Sequence, residues 1–156
     1  MKLGFIGTGN ITVAVVIGIC GSKISFKKIL VSPRNKSKAL KLSKKFKKVS
    51  IATTNQEIID KCNWIFLAIT PKVSKQIIPK LKFRSNQKII SFISTIKLAQ
   101  LKKFINKKVK IVRAIPLPPI SIKKGPVPIC PPNKKVKDFF NKIGTTIEIK
   151  LSLIHI

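Results

Sequence analysis

Gly7 and Gly9, which directly follow the apolar run Lys2–Ile6, constrain this chain more than any other feature. The order is a short buried strand, a glycine turn, then a helix predicted over Asn10–Cys20. A turn of that kind aims free backbone N–H groups and the positive end of a helix at an anion. Gly7 permits the tight turn, and Gly9 allows a pyrophosphate to approach the backbone closely. The full fingerprint is G-x-G-x-x-G, and its third place holds Thr12, so the motif needs support downstream. A secretory leader is the competing reading. Its charge is thin, and Gly7, Gly9, Asn10 and Thr12 interrupt its apolar stretch. The apolar run Val13–Cys20 is too short to span a bilayer.

Downstream, short apolar runs alternate with amphipathic ones. Strands are expected at Ile29–Val31, Val49–Ala52, Trp64–Ile69, Lys88–Ile93 and Lys110–Ala114. Helices are expected between them. Asn35 is positioned to cap one whose apolar side is Ala39, Leu42 and Phe46. Asn55 reads as the cap of the next, with Glu57 in its first turn. Val73, Ile77, Ile78 and Leu81 mark a helix that Pro79 must shorten or kink. Nearly continuous apolar strands separated by amphipathic helices imply an α/β chain. The expected fold is Rossmann-like and doubly wound, a mainly parallel sheet with helices on both faces, over residues 1–150 as one domain.

The texture changes at Pro116. Seven prolines, from Pro116 to Pro132, imply a stiff, extended surface loop. Beyond it, Val136, Phe139, Phe140 and Ile143 line a helix that Gly144 stops, and Thr146–Ile149 reads as a last strand. Residues 151–156 begin no recognisable element and read as a truncated or non-native tail.

The charge is extreme, with 33 Lys and Arg against 4 Asp and Glu, a net +29. Only Arg34, Arg84 and Arg113 are arginines, and few aromatics accompany the lysines. That pattern reads as a lysine-coated surface with nonspecific attraction for polyanions at low salt, and a basic nucleic-acid-binding protein that merely has an α/β fold is the alternative. Cys20, Cys62 and Cys130 are odd in number and widely spaced, and the one histidine is His155. No metal site and no disulfide framework is expected, only reduced thiols in a cytoplasmic protein.

A second signal bears on the ligand. In a Rossmann-type unit the end of the second strand meets the adenosine ribose. An acid there selects NAD, and a cation accommodates the 2′-phosphate of NADP. Here that place reads Val31-Ser32-Pro33-Arg34-Asn35-Lys36, without an acid. Ser32 can hydrogen-bond a phosphate, Arg34 can grip one as a fork, and Lys36 and Lys38 add positive potential. NADP is therefore the expected cofactor.

The segments GFIGTGN, VSPRN, TTNQEIIDKCNWIFLAITP, KIISFIS and VRAIPLPP occur in an order and spacing that resembles pyrroline-5-carboxylate reductase, specifically its N-terminal nucleotide-binding domain. The resemblance runs to about Ile149. It implies NADPH-dependent reduction of 1-pyrroline-5-carboxylate to L-proline. It also implies a homo-oligomer for the full-length protein, with no membrane and no specific nucleic-acid partner. By motif, Gly7, Thr8, Gly9, Asn10 and Ile11 would surround the pyrophosphate. Ser32 and Arg34 would meet the 2′-phosphate. Asn55 would lie close to the cofactor, and Ala68, Ile69, Thr70 and Pro71 beside its ribose and nicotinamide.

Three departures stand out. Thr70 replaces a family lysine. Ser94-Thr95 replaces an Ala-Gly pair. Leu117, within Ile115–Pro119, replaces an asparagine near the reacting end. A relative that reduces another imine or carbonyl is the alternative they raise. The family continues into a helical dimerisation domain that supplies most of the substrate pocket. No residue of 1–156 stands out as acid, base or substrate anchor.

Overall fold

The computed structural model describes residues 1–105 and 108–150. One eight-stranded sheet runs through them in the order β3-β2-β1-β4-β5-β6-β7-β8. Its strands are β1 (Lys2–Ile6), β2 (Lys28–Val31), β3 (Val49–Ile51), β4 (Trp64–Leu67), β5 (Lys88–Ser91), β6 (Lys110–Ala114), β7 (Pro126–Cys130) and β8 (Thr145–Glu148). The helices are α1 (Asn10–Cys20), α2 (Lys36–Lys45), α3 (Asn55–Lys61), α4 (Pro71–Ile77), α5 (Leu98–Ile105) and α6 (Lys134–Phe140). The first six strands are mutually parallel, β7 joins β6 antiparallel, and β8 lies parallel to β7. This is the expected Rossmann-like, doubly wound α/β fold.

Alternation along the strands sorts the core onto two faces. Leu3, Phe5, Val31, Phe66 and Val112 point to one face, where α1, α2 and α6 supply Val15, Ile19, Leu42, Val136 and Phe140. Ile6, Leu30, Ile65, Leu67 and Ile89 point to the other, against Ile58, Ile59, Ile78 and Leu101 of the opposite layer. Phe5 stacks on Phe66 across neighbouring strands, with ring centroids 4.4 Å apart. Each such fully buried side chain contributes about 1.5–3 kcal/mol. Gly4 is fixed by this packing, because a Cβ there would lie 2.3 Å from the Ile58 side chain on α3.

Local signals account for most boundaries. Pro79 ends α4 at Ile77, and a single 3-10 turn over Ile78–Lys80 follows. Two expectations about caps need correction. The cap of α3 is Thr54, whose hydroxyl accepts the Glu57 N–H at 3.1 Å, and Asn55 is the first helical residue. Glu57 reaches back past the cap to the Thr53 N–H at 3.2 Å, which ties the first turn to the residue before the cap. Asn35 does occupy the cap position of α2 but makes no side-chain cap bond, and Phe46 lies just past the helix in extended backbone.

The proline-rich stretch is the larger correction. Expected as a loop, it holds a 3-10 helix over Pro118–Ile122 and the strand β7. Proline lacks a donor but keeps its carbonyl, and Pro128 accepts the Ile115 N–H at 3.0 Å. Prolines at every second place also leave Val127 and Ile129 to be buried. The 3-10 helix packs on α1 so closely that a Cβ at Gly18 would lie 2.4 Å from the Ile120 carbonyl oxygen. Residues 151–156, read as a tail, lie outside the described residues.

Candidate functional site

The carboxyl ends of β1, β2 and β4 converge on one edge, where open sheets of this class bind ligands. A cavity of about 610 Å³ lies there. At its centre is the glycine turn. Gly7 has φ +105, and a Cβ on it would lie 2.1 Å from the Ala68 carbonyl oxygen, so backbone conformation and space both demand glycine. Gly9 is different. Its φ of −90 is open to any residue, and a Cβ there would meet nothing within 4 Å. Nothing inside the protein requires glycine at 9, and the vacant side suits a group that approaches from outside.

The turn is held by hydroxyls. Thr12, fully buried at the third place of the fingerprint, donates to the Gly7 carbonyl at 2.7 Å. Thr8 donates to the Ser32 carbonyl at 2.8 Å. The Ser32 hydroxyl accepts the Gly7 N–H at 2.9 Å. Helix α1 starts at Gly9 with no side-chain cap and no acid in its first turn. Its leading N–H groups therefore keep their capacity for an anion.

Arg34, Asn35, Lys36 and Ser37 form one end of the cavity, and Ala68, Ile69, Thr70 and Val73 the other. Arg34 and Lys36 are exposed, and neither takes part in any ion pair seen among the described residues. Asn55 also lines the cavity, and its side-chain oxygen is buried without a hydrogen-bond partner. An acceptor left in that condition costs about 1–3 kcal/mol unless a ligand donor reaches it. The vacant face of Gly9 and the orphaned Asn55 oxygen both fit a dinucleotide lying across the turn. A nicotinamide dinucleotide bound there would supply a hydride. The residues named would hold its phosphates and ribose.

Of the residues expected to bind it, Gly7, Thr8, Gly9, Ser32, Arg34, Asn55, Ala68, Ile69 and Thr70 line this cavity. Ser32 is only 2% exposed, and its hydroxyl is engaged by the turn itself. Pro71 opens α4 behind Thr70, whose hydroxyl accepts the Val73 N–H at 3.3 Å as the helix cap. Asn10 and Ile11 instead border an adjoining groove of about 360 Å³, together with Phe92, Ile115, Pro116 and Pro118. That groove is apolar apart from Asn10, which suits a ring held away from water.

Sequence reasoning passed over Arg113. It is 4% exposed on β6 and donates to the Ile96 carbonyl in the loop between β5 and α5. Its Nε has no partner, and burial lowers its pKa from the usual value. The guanidinium thus ties down the loop that carries Phe92, a wall of the groove. The signal was available: an arginine inside the apolar strand sequence Lys-Ile-Val-Arg-Ala. Among the described residues no group of His, Cys, Asp or Glu could hold a metal ion, and the three cysteines are free thiols.

Sheet order, glycine turn and edge cavity together define a dinucleotide-binding domain of the Rossmann type. The chain belongs to the family described as NADP oxidoreductase, coenzyme F420-dependent, whose model matches residues 2–96. NADP is accordingly its cofactor class. Among curated proteins it is 27% identical to pyrroline-5-carboxylate reductase 3 of Danio rerio over 80% of this chain and 44% of that one. It is 26% identical to the pyrroline-5-carboxylate reductase of Escherichia coli over 83% of this chain and 49% of that one. The chain thus spans about half the length of the curated relatives it matches. The crystal structure of Plasmodium falciparum pyrroline carboxylate reductase with NADP bound matches with a TM-score of 0.82 at 26% identity, over 96% of this chain and 58% of that one.

Proposed function

We propose that this chain binds NADPH and presents its hydride for the reduction of 1-pyrroline-5-carboxylate to L-proline. The observation that carries the reading is one cavity lined by Arg34, Gly9 and Ala68 together, with the unpartnered Asn55 oxygen on a residue of the same lining. Arg34 and Lys36 hold the 2′-phosphate, the Gly7–Ile11 turn holds the pyrophosphate, and Ala68–Pro71 lies along the nicotinamide ribose. Phe92 and Ile115 would shield the nicotinamide of a bound cofactor in the apolar groove, where it would supply a hydride to the imine carbon as the ring nitrogen gains a proton. The similarity to the reductases of Danio rerio and Escherichia coli supports that substrate. In this reading residues 1–150 are the nucleotide-binding domain. A helical part, as the family resemblance implies, completes the acceptor site and the oligomer, and the protein works in the cytoplasm.

A second reading, a reductase of another imine or carbonyl, draws on one observation. Leu117 is 43% exposed between groove-lining Pro116 and Pro118, so the rim of the groove is apolar.

Titration of the chain with NADPH and NADH tests the cofactor assignment. Wild type should prefer NADPH, and Arg34→Ala should lose about tenfold or more toward NADPH with little change toward NADH. Equal affinity of wild type for the two would overturn it. Assay of the full-length protein with 1-pyrroline-5-carboxylate tests the substrate. Turnover of other imines alone would select the second reading.

A further inference from the structure

The segment between β5 and α5 crosses from one face of the sheet to the other. Phe92, its first residue, packs with Phe66 and Phe140 on the α1 and α6 face, at centroid distances of 5.7 and 6.5 Å. Ile93 and Ile96 are buried in the opposite layer with Leu98 and Leu101. Ser94 and Thr95 between them are exposed. No helix or strand holds these residues, and hydrogen bonds at both ends do so instead. The Phe92 N–H donates to the Leu67 carbonyl at 2.9 Å, and the Ile93 N–H to the Ser91 hydroxyl at 3.1 Å. At the far end Arg113 donates to the Ile96 carbonyl.

Arg113 is the costly member of that set. Val112 and Ala114 on either side of it belong to the α1 and α6 face, so alternation turns Arg113 to the other, with Ile111. Ser91 and Cys130 flank it across the sheet. No ion pair among the described residues includes it. The thiol of Cys130 acts on its charge, yet burial pushes that thiol toward its neutral form. A guanidinium buried without a counter-charge opposes folding, and an apolar side chain of similar volume serves a fold as well or better. Packing therefore does not account for an arginine here. What an apolar side chain cannot supply is the bond to Ile96.

That bond joins two walls of one groove. Phe92 opens the segment that Arg113 holds, and Ile115 follows Arg113 by two residues at the end of β6. Both line the apolar groove beside the glycine turn. We infer that Arg113 is a positioning residue for the hydride-donating end of the site: by tying the Phe92–Lys97 segment to β6 it sets the spacing of Phe92 and Ile115, and with it the seat of the nicotinamide ring. The inference rests on the cofactor reading above.

The test compares the full chain with its Arg113→Met, Arg113→Lys and Phe92→Leu variants. Arg113→Met should unfold in urea at a midpoint no lower than wild type, while the Ile93 N–H exchanges faster. Its affinity for NADPH should fall about tenfold, and the gain in nicotinamide fluorescence on binding should shrink. Adenosine 2′,5′-bisphosphate, which has no nicotinamide, should bind it within about twofold of wild type. Arg113→Lys keeps a donor for Ile96 and should recover most of the fluorescence gain. Arg113→Met and Phe92→Leu act on one wall, so the double variant should lose less than the product of the two single losses. Failure of Arg113→Met to fold, equal losses toward NADPH and the bisphosphate, no recovery in Arg113→Lys, or independent losses in the double variant would each overturn the inference. If wild type itself does not bind NADPH, the cofactor reading falls and this one with it. If wild type binds and Arg113→Met binds alike, only the role of Arg113 falls.

Discussion

The Ser32 hydroxyl accepts the Gly7 N–H at 2.9 Å and meets the Thr8 hydroxyl at the same distance, which fastens the end of β2 to the glycine turn. Ser32→Ala leaves the Gly7 donor unsatisfied in a partly buried place. Urea melts should show a loss of about 1–3 kcal/mol. NADPH affinity should fall as well, because the turn loses its brace. Unchanged stability would mean that water replaces the hydroxyl.

The two glycines of the turn should separate stability from binding. Gly7→Ala sets a side chain against the Ala68 carbonyl at a positive φ, and should destabilise the fold by about 2 kcal/mol or more. Gly9→Ala meets no neighbour. It should leave the melting free energy within about 0.5 kcal/mol while NADPH affinity falls about tenfold. Paired thermal melts and NADPH titrations check both. If Gly9→Ala binds NADPH as wild type does, no phosphate lies against that face.

Gly18→Ala addresses the seam between α1 and the proline-rich segment. The added methyl must displace the Ile120 carbonyl, 2.4 Å from the ideal Cβ position. Overpacking of this kind costs about 1–3 kcal/mol. Hydrogen exchange in that variant should quicken at Ile120 and Lys123, whose N–H groups close the 3-10 helix. Quickening confined to α2 would contradict the packing described.

Alkaline pH should weaken the fold through its thiols. Burial pushes Cys62 up to about 11 from 9.0. An unfolded thiol ionises near the lower value while the folded one keeps its proton. Stability from this source is whole below about pH 9 and declines as pH rises through about 11. Denaturant melts across that window should slope less steeply in Cys62→Ala than in wild type. Equal slopes would remove the thiol as the cause.

The parallel half of the fold was legible because each apolar run has strand length and each amphipathic run has a breaker or cap at its end. Gly7, Gly9 and Arg34 were readable for a related reason: their chemistry is local, within a turn or at a strand end. What escaped depended on distant partners. β7 hid behind Pro126 and Pro128, because proline density says nothing about which carbonyls find donors. Asn55 looked like a cap from sequence, yet Thr54 one residue earlier does that work, and the Asn55 oxygen is left facing the cavity. Arg113 gives no local hint of its bond to Ile96, which lies seventeen positions away in the chain.

Helix α1 is gripped at its C-terminal end. Ile120 closes on Gly18 at its flank, and Lys123 donates to the Gly21 carbonyl at 3.1 Å just past its C-terminal end. A helix clamped there by a cation has little freedom to slide along its axis. Its leading N–H groups therefore stand in position before any anion arrives, and binding need not spend energy arranging them. Adjustment on binding then falls to the exposed Arg34–Ser37 corner. Variation among related chains in how tightly they hold the dinucleotide should trace to that corner more than to the turn.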